Sequence, residues 1–93
     1  MPGYDRAELT AELNVVPSPE AERSPREQVE AAKRTATDSG LAHEAGPEKT
    51  VLAGGRSEVL DAIRQVIEAS LDAGVRAVEV KVEVEGEAER FGR

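Results

Sequence analysis

Cysteine is absent from this chain, and so is tryptophan; tyrosine and phenylalanine occur once each. Without thiols there is no disulfide, no iron–sulfur cluster, no zinc knuckle and no cysteine nucleophile. The single histidine rules out a histidine-rich metal centre, so only carboxylates could hold a hard cation, and no metal site is expected. No apolar run approaches the length that spans a bilayer, and the opening MPGYDRAELTAEL lacks a signal-type apolar stretch. A cytoplasmic location without membrane contact is the corresponding expectation. Positive charge is also scarce: 12 Lys and Arg stand against 19 Asp and Glu, for a net charge of −7. Phosphate backbones would be repelled, so nucleic acid is not an expected partner. The acidity serves solubility first and could also attract a cationic ligand.

With aromatics at 2% of 93 residues, the core has to be built from Val, Leu, Ile and Ala. A chain this short is expected to form one domain, and so light a core often gains stability by associating with copies of itself. The domain is expected over residues 8–85, between loose segments at 1–7 and 86–93.

Leu9, Ala11, Leu13 and Val15 alternate with Thr10, Glu12 and Asn14, which is the period of a half-buried strand ending before Pro17. A proline-rich loop follows. Ser24, Pro25 and Glu27 then supply an N-cap, a first-turn proline and a capping box, so a helix starts there. Its apolar stripe is thin (Val29, Ala32, Ala36), and Gly40 is its expected stop. Residues 41–45 and 50–54 flank Gly46 and Pro47 and read as a hairpin. Val59, Ile63, Val66, Ile67 and Leu71 recur at helical spacing between a Ser57 cap and Gly74. In VRAVEVKVEVE, residues 75–85, valines at even positions alternate with charges at odd ones, giving a strand with one apolar face. Val80 and Val82 are expected to pack on Ile63, Val66 and Ile67.

The order is β-α-β-β-α-β. Right-handed crossovers put both helices on one face of a four-stranded antiparallel sheet, an α+β ferredoxin-like sandwich with its other face open.

Several of these segments together resemble the small thiamine-binding-protein family. They are the strand ending Val15-Val16-Pro17, the helix ending Ser39-Gly40-Leu41, the stretch HEAGPEKTVLAGG at 43–55, the helix ending Asp72-Ala73-Gly74-Val75, and the valine-rich last strand. The resemblance implies a ferredoxin-like fold, assembly into dimers or tetramers, binding of thiamine or its pyrimidine moiety, and no catalytic activity. The family pattern in the hairpin is roughly aromatic-Glu-x-Gly-Pro-x-x-Thr-x-hydrophobic-Glu-Gly. His43 stands here in place of the aromatic residue, and Ala53 in place of the second glutamate.

The residues themselves offer four candidate ligand contacts. The Thr50 hydroxyl could bond a ring nitrogen, or its own backbone as any strand threonine does. His43 could stack on a heteroaromatic ring or serve as a partly buried filler. Glu44 is the right charge for an aminopyrimidine or a thiazolium, and otherwise a solvated edge residue. Asn14 is out of character inside a strand, so it is either a ligand or interface residue or a strand position that simply bears the cost. If GPEK is a four-residue loop, Ala45 pairs with Thr50 and His43 with Leu52. Thr50 and His43 then form one cluster on the helix side, and Glu44 with Asn14 a second on the open side. Ala53 would weaken an acidic open-face site. The Gly54-Gly55-Arg56-Ser57 turn could seat an anion at a helix N-terminus, but a plain strand-to-helix turn is favoured. No nucleophile stands beside a base, and with what the resemblance implies the function expected is ligand binding without catalysis. A structural or regulatory oligomerisation module is the alternative.

Overall fold

The computed structural model of the chain describes residues 7–43, 46–47 and 49–85. Its elements are β1 (Leu9–Val16), α1 (Pro25–Asp38), β2 (Ala42–His43), β3 (Lys49–Gly54), α2 (Arg56–Ala73) and β4 (Ala77–Val84). The strands form one sheet in the order β2-β3-β1-β4, and every neighbouring pair is antiparallel. This is the ferredoxin-like βαββαβ sandwich, with both helices on one side. The segments expected to be loose lie outside the described residues, except for Ala7, which is buried.

β1 carries the fold because it pairs on both edges, with β3 and with β4. Its alternation is realised in full: Leu9, Ala11, Leu13 and Val15 are buried against the helices, and Thr10, Glu12, Asn14 and Val16 are half-buried on the other face. The helices complete the core with Ala32, Ala36, Val59, Ala62, Ile63 and Val66, and β3 adds Leu52.

α1 begins as its sequence dictates. The Ser24 side chain accepts from the Glu27 amide, and Glu27 Oε1 accepts from the Ser24 amide, both at 3.2 Å. α2 departs from expectation at its start. The cap is Gly55 rather than Ser57, and no side chain of the cap residue bonds the first turn. The Glu8 carboxylate instead accepts from the Arg56 amide at 2.8 Å, so an acidic group just before β1 occupies the helix terminus. Gly74 closes α2 at φ 97°, and a Cβ there would also come within 2.8 Å of the Ala21 methyl.

The buried stripe of α2 is rotated from the one its large residues suggest. Ala62, Ser70 and Ala73 are buried, while Leu60 and Leu71 are exposed. The Ser70 hydroxyl is satisfied by donating to the Val66 carbonyl at 2.7 Å. β4 is correspondingly less covered than expected. Val78 packs on the core, but Val80 and Val82 are 39% and 44% exposed and do not belong to it. Ile63 and Val66 pack within a cluster drawn mainly from β1, β3 and the two helices.

Candidate ligand-binding site

The uncovered face of the sheet is where polar side chains converge. The register sets Glu12 between Val51 and Lys81, and Asn14 between Lys49 and Glu79. Period-two alternation sends all of these side chains to the face opposite the helices. Asn14 Nδ2 donates to Glu79 Oε1 at 3.3 Å. Lys49 lies 3.8 Å from Glu12, and Lys81 3.6 Å from Glu83. These pairs are solvent-exposed and add little stability by themselves. Their geometry matters more. Glu12, Asn14, Lys49, Glu79, Val80 and Lys81 line a shallow hollow of about 310 Å³.

Its chemistry is directional. Asn14 uses one N–H on Glu79, which leaves its carbonyl oxygen and a second N–H available. Glu12 adds a carboxylate one alternation away. An acceptor, a donor and a negative charge within one strand's reach suit a flat, nitrogen-rich ring that carries an amino group or a positive charge.

The hairpin register differs by one residue from the expected one. Ala42 pairs with Leu52 and His43 with Val51, rather than His43 with Leu52. Because side chains alternate, this shift moves Ala42 to the helix side and His43 to the open row of Val51 and Glu12. Thr50 stays on the helix side, opposite Leu13 and 4% exposed. Thr50 and His43 therefore do not share a sheet face, and the cluster expected of them is not formed that way. Both border a smaller hollow of about 150 Å³ between α1 and the hairpin, together with Lys33, Ala36, Thr37, Ala42 and Lys49. There the Lys33 ammonium ties α1 to the turn by donating to the Gly46 and Lys49 carbonyls at 3.0 and 2.7 Å. Glu44 lies outside the described residues. Among those described, no three His, Asp or Glu side chains come together as a metal-binding group.

The charged residues lining this hollow that sequence reasoning did not single out are Glu12, Lys49, Glu79 and Lys81. Alternation alone reads the β4 charges as a solvated face. Only the pairing of β4 with β1 brings Glu79 onto Asn14, and that pairing was implicit in the ferredoxin-like strand order.

Thr50 Oγ1 is buried and has no hydrogen-bond partner. A buried hydroxyl without a partner costs free energy. Thr50→Val, which keeps the side-chain shape, is expected to stabilise the chain by about 1 kcal/mol. Urea unfolding reads this as a higher midpoint at unchanged slope. A comparable loss would reveal a partner that the hydroxyl serves.

Ala53 lies on the open face directly opposite Thr10, whose hydroxyl is also buried and without a partner. A glutamate at this position would bring a carboxylate to that hydroxyl, and the methyl of Ala53 does not.

The family described as thiamine-binding protein matches the chain over residues 11–91. Similar solved structures include the following two. One is a domain of unknown function, DUF77, from Bacillus cereus, with 24% identity over 87% of this chain and 78% of that one, at a TM-score of 0.65. The other is a Thermotoga maritima protein assigned provisionally to thiamine biosynthesis or salvage, with 20% identity over 92% of this chain and 99% of that one, also at 0.65. At these identities the likeness is one of fold. A search of curated proteins gives no match.

Proposed function

The chain belongs to the thiamine-binding protein family, and on that premise we propose that it binds thiamine or a related aminopyrimidine, without catalysing a reaction, as an oligomer of ferredoxin-like subunits. The observation that carries this reading is the Asn14–Glu79 pair inside the open-face hollow. It sets a carboxamide and a carboxylate side by side on the central strand, with Glu12 beside them. An aminopyrimidine presents ring nitrogens and an amino group along one edge. The Asn14 carbonyl accepts from the amino group, and a Glu carboxylate partners a protonated ring nitrogen or the cationic second ring.

Size is compatible with the same choice. Small-molecule pockets usually occupy about 300–1,000 Å³. Of the two hollows that hold Asn14, His43 or Thr50, the open-face one reaches the lower end of that range and the one beside Thr50 falls below it. Hollows of about 390 and 450 Å³ lie elsewhere, beside Pro17 and Val29 and beside Ser18 and Arg76, so the choice rests on the polar groups rather than on volume. A shallow hollow on a bare sheet also leaves a ligand half wet, so a second subunit improves it by covering or extending it. His43, on the same face at the β2 edge, is a peripheral contact in this scheme, and Thr50 is not part of the open-face set. Among the described residues, no helix is long and apolar enough to cross a membrane. Action in the cytoplasm belongs to the same proposal.

Native mass spectrometry at micromolar protein tests ligand and assembly together. The expected spectrum shows dimers or tetramers that gain the mass of thiamine, up to one per subunit, when thiamine is added. A bare monomer that takes up nothing contradicts the proposal. An oligomer that takes up nothing favours the oligomerisation module instead.

A further inference from the structure

The large hydrophobic side chains exposed among the described residues are Leu60, Leu71, Val80, Val82 and Val84, and three of the five lie in β4. β4 is an edge strand of eight residues, whereas the opposite edge, β2, has two. A long edge strand with an apolar row and no proline is a template for pairing with another strand.

The pairing with β1 shows which backbone groups remain unpaired. The Glu85 amide donates to the Glu8 carbonyl at 2.9 Å, continuing a register in which Glu83 meets Thr10 and Lys81 meets Glu12. Hydrogen-bonded pairs in an antiparallel ladder recur at every second residue. The odd residues of β4 therefore turn their amides and carbonyls to β1. Val78, Val80, Val82 and Val84 turn theirs to the free edge.

We infer that two copies of the chain join along β4, antiparallel about a twofold axis at Val80, so that Glu79 of each copy faces the partner's Lys81. This rests on the reading of the chain as a self-associating ligand binder and specifies the seam. The register follows from charge. An axis at any odd residue from 79 to 83 sets Glu79, Lys81 or Glu83 against its own copy. An axis at Val82 pairs Lys81 with Glu83 but sets Glu79 against Glu85, and an axis at Val78 or Val84 engages only one end of the strand. With the axis at Val80, Val78 lies opposite the partner's Val82, and the two Glu–Lys pairs fall at non-hydrogen-bonded positions. Side chains approach most closely there, with Cα atoms about 4.5 Å apart. No like charges then face each other across the seam from Ala77 to Glu83.

The consequence reaches the ligand. Glu79 and Lys81 are the outer wall of the open-face hollow. In the pair, that wall continues into the partner's Lys81 and the partner's Glu79. The two hollows meet at the seam, and each is completed by a cation and a carboxylate of the other copy.

The seam is tested by sedimentation of charge variants without added ligand, so that assembly is read separately from binding. Glu79→Lys sets two lysine pairs across the twofold axis, and Lys81→Glu sets two glutamate pairs. Each is expected to raise the dimer dissociation constant by about tenfold or more. The double variant Glu79→Lys with Lys81→Glu restores opposite charges and should return it to within about twofold of the unsubstituted chain. Circular dichroism of each variant establishes that it is folded. Weakening by Lys81→Glu without weakening by Glu79→Lys, or failure of the double variant to restore association, overturns the register. An unsubstituted chain that stays monomeric overturns the seam itself, while thiamine binding by that monomer would leave the ligand reading standing.

Discussion

Gln28→Ala is expected to lower the unfolding free energy by about 3 kcal/mol, a loss out of proportion to a single polar side chain on a helix. Gln28 is fully buried in α1, and all three of its bonds reach out of the helix. Its Nε2 donates to the Ser18 and Arg23 carbonyls, each at 2.8 Å, and its Oε1 accepts from the Ser18 amide at 2.8 Å. The loop from Pro17 to Arg23 has no ladder of its own, so this carboxamide supplies its backbone partners from inside the fold. Truncation leaves three part-buried backbone groups without partners and opens a void under the loop. In a domain of this size the melting temperature should fall by roughly 10–20 °C. Gln65→Ala is the matched control. Gln65 also donates from a helix, to Asp61 at 3.1 Å, but it is exposed, and its loss should stay within about 0.5 kcal/mol. Equal effects at the two positions would show that the buried clamp does not hold the loop.

The clamp was invisible in the sequence, because glutamine on a helix reads as a solvent-facing residue and the loop that needs it lies outside any periodic segment. What the sequence did make legible was whatever local chemistry decides. The bounds of β1 followed from its alternation and Pro17, the start of α1 from its capping box, and the end of α2 from Gly74. The element order then left one economical topology. The buried face of α2 was read less well. Counting large apolar residues favours Leu71, yet the helix buries Ala62, Ser70 and Ala73 beside Val59, Ile63 and Val66 and leaves Leu71 exposed. The hairpin register was equally undecidable from sequence. One residue more or less in a short turn exchanges the faces of Ala42 and His43, and both orders leave plausible side chains on each side. The candidate site was half legible. Asn14 stood out as a residue unsuited to a strand, and the structure gives it Glu79 as a partner. Glu12, Lys49, Glu79 and Lys81 had no local signal, since a charge on an alternating strand normally means only water.

Asn14 is the central group of the proposed ligand site. A carboxamide at the centre of the open face costs strand propensity, so its replacement by alanine should leave the fold intact. If the open-face hollow is the ligand site, Asn14→Ala removes the acceptor for the amino group and frees Glu79 from its partner. Calorimetric titration with thiamine, repeated with its aminopyrimidine half, is the direct measurement. The expected result is saturable binding of both by the unsubstituted chain, weakened about tenfold to a hundredfold in Asn14→Ala and unchanged in Thr50→Val. Affinity that is indifferent to Asn14, or no heat of binding at millimolar thiamine, would contradict it.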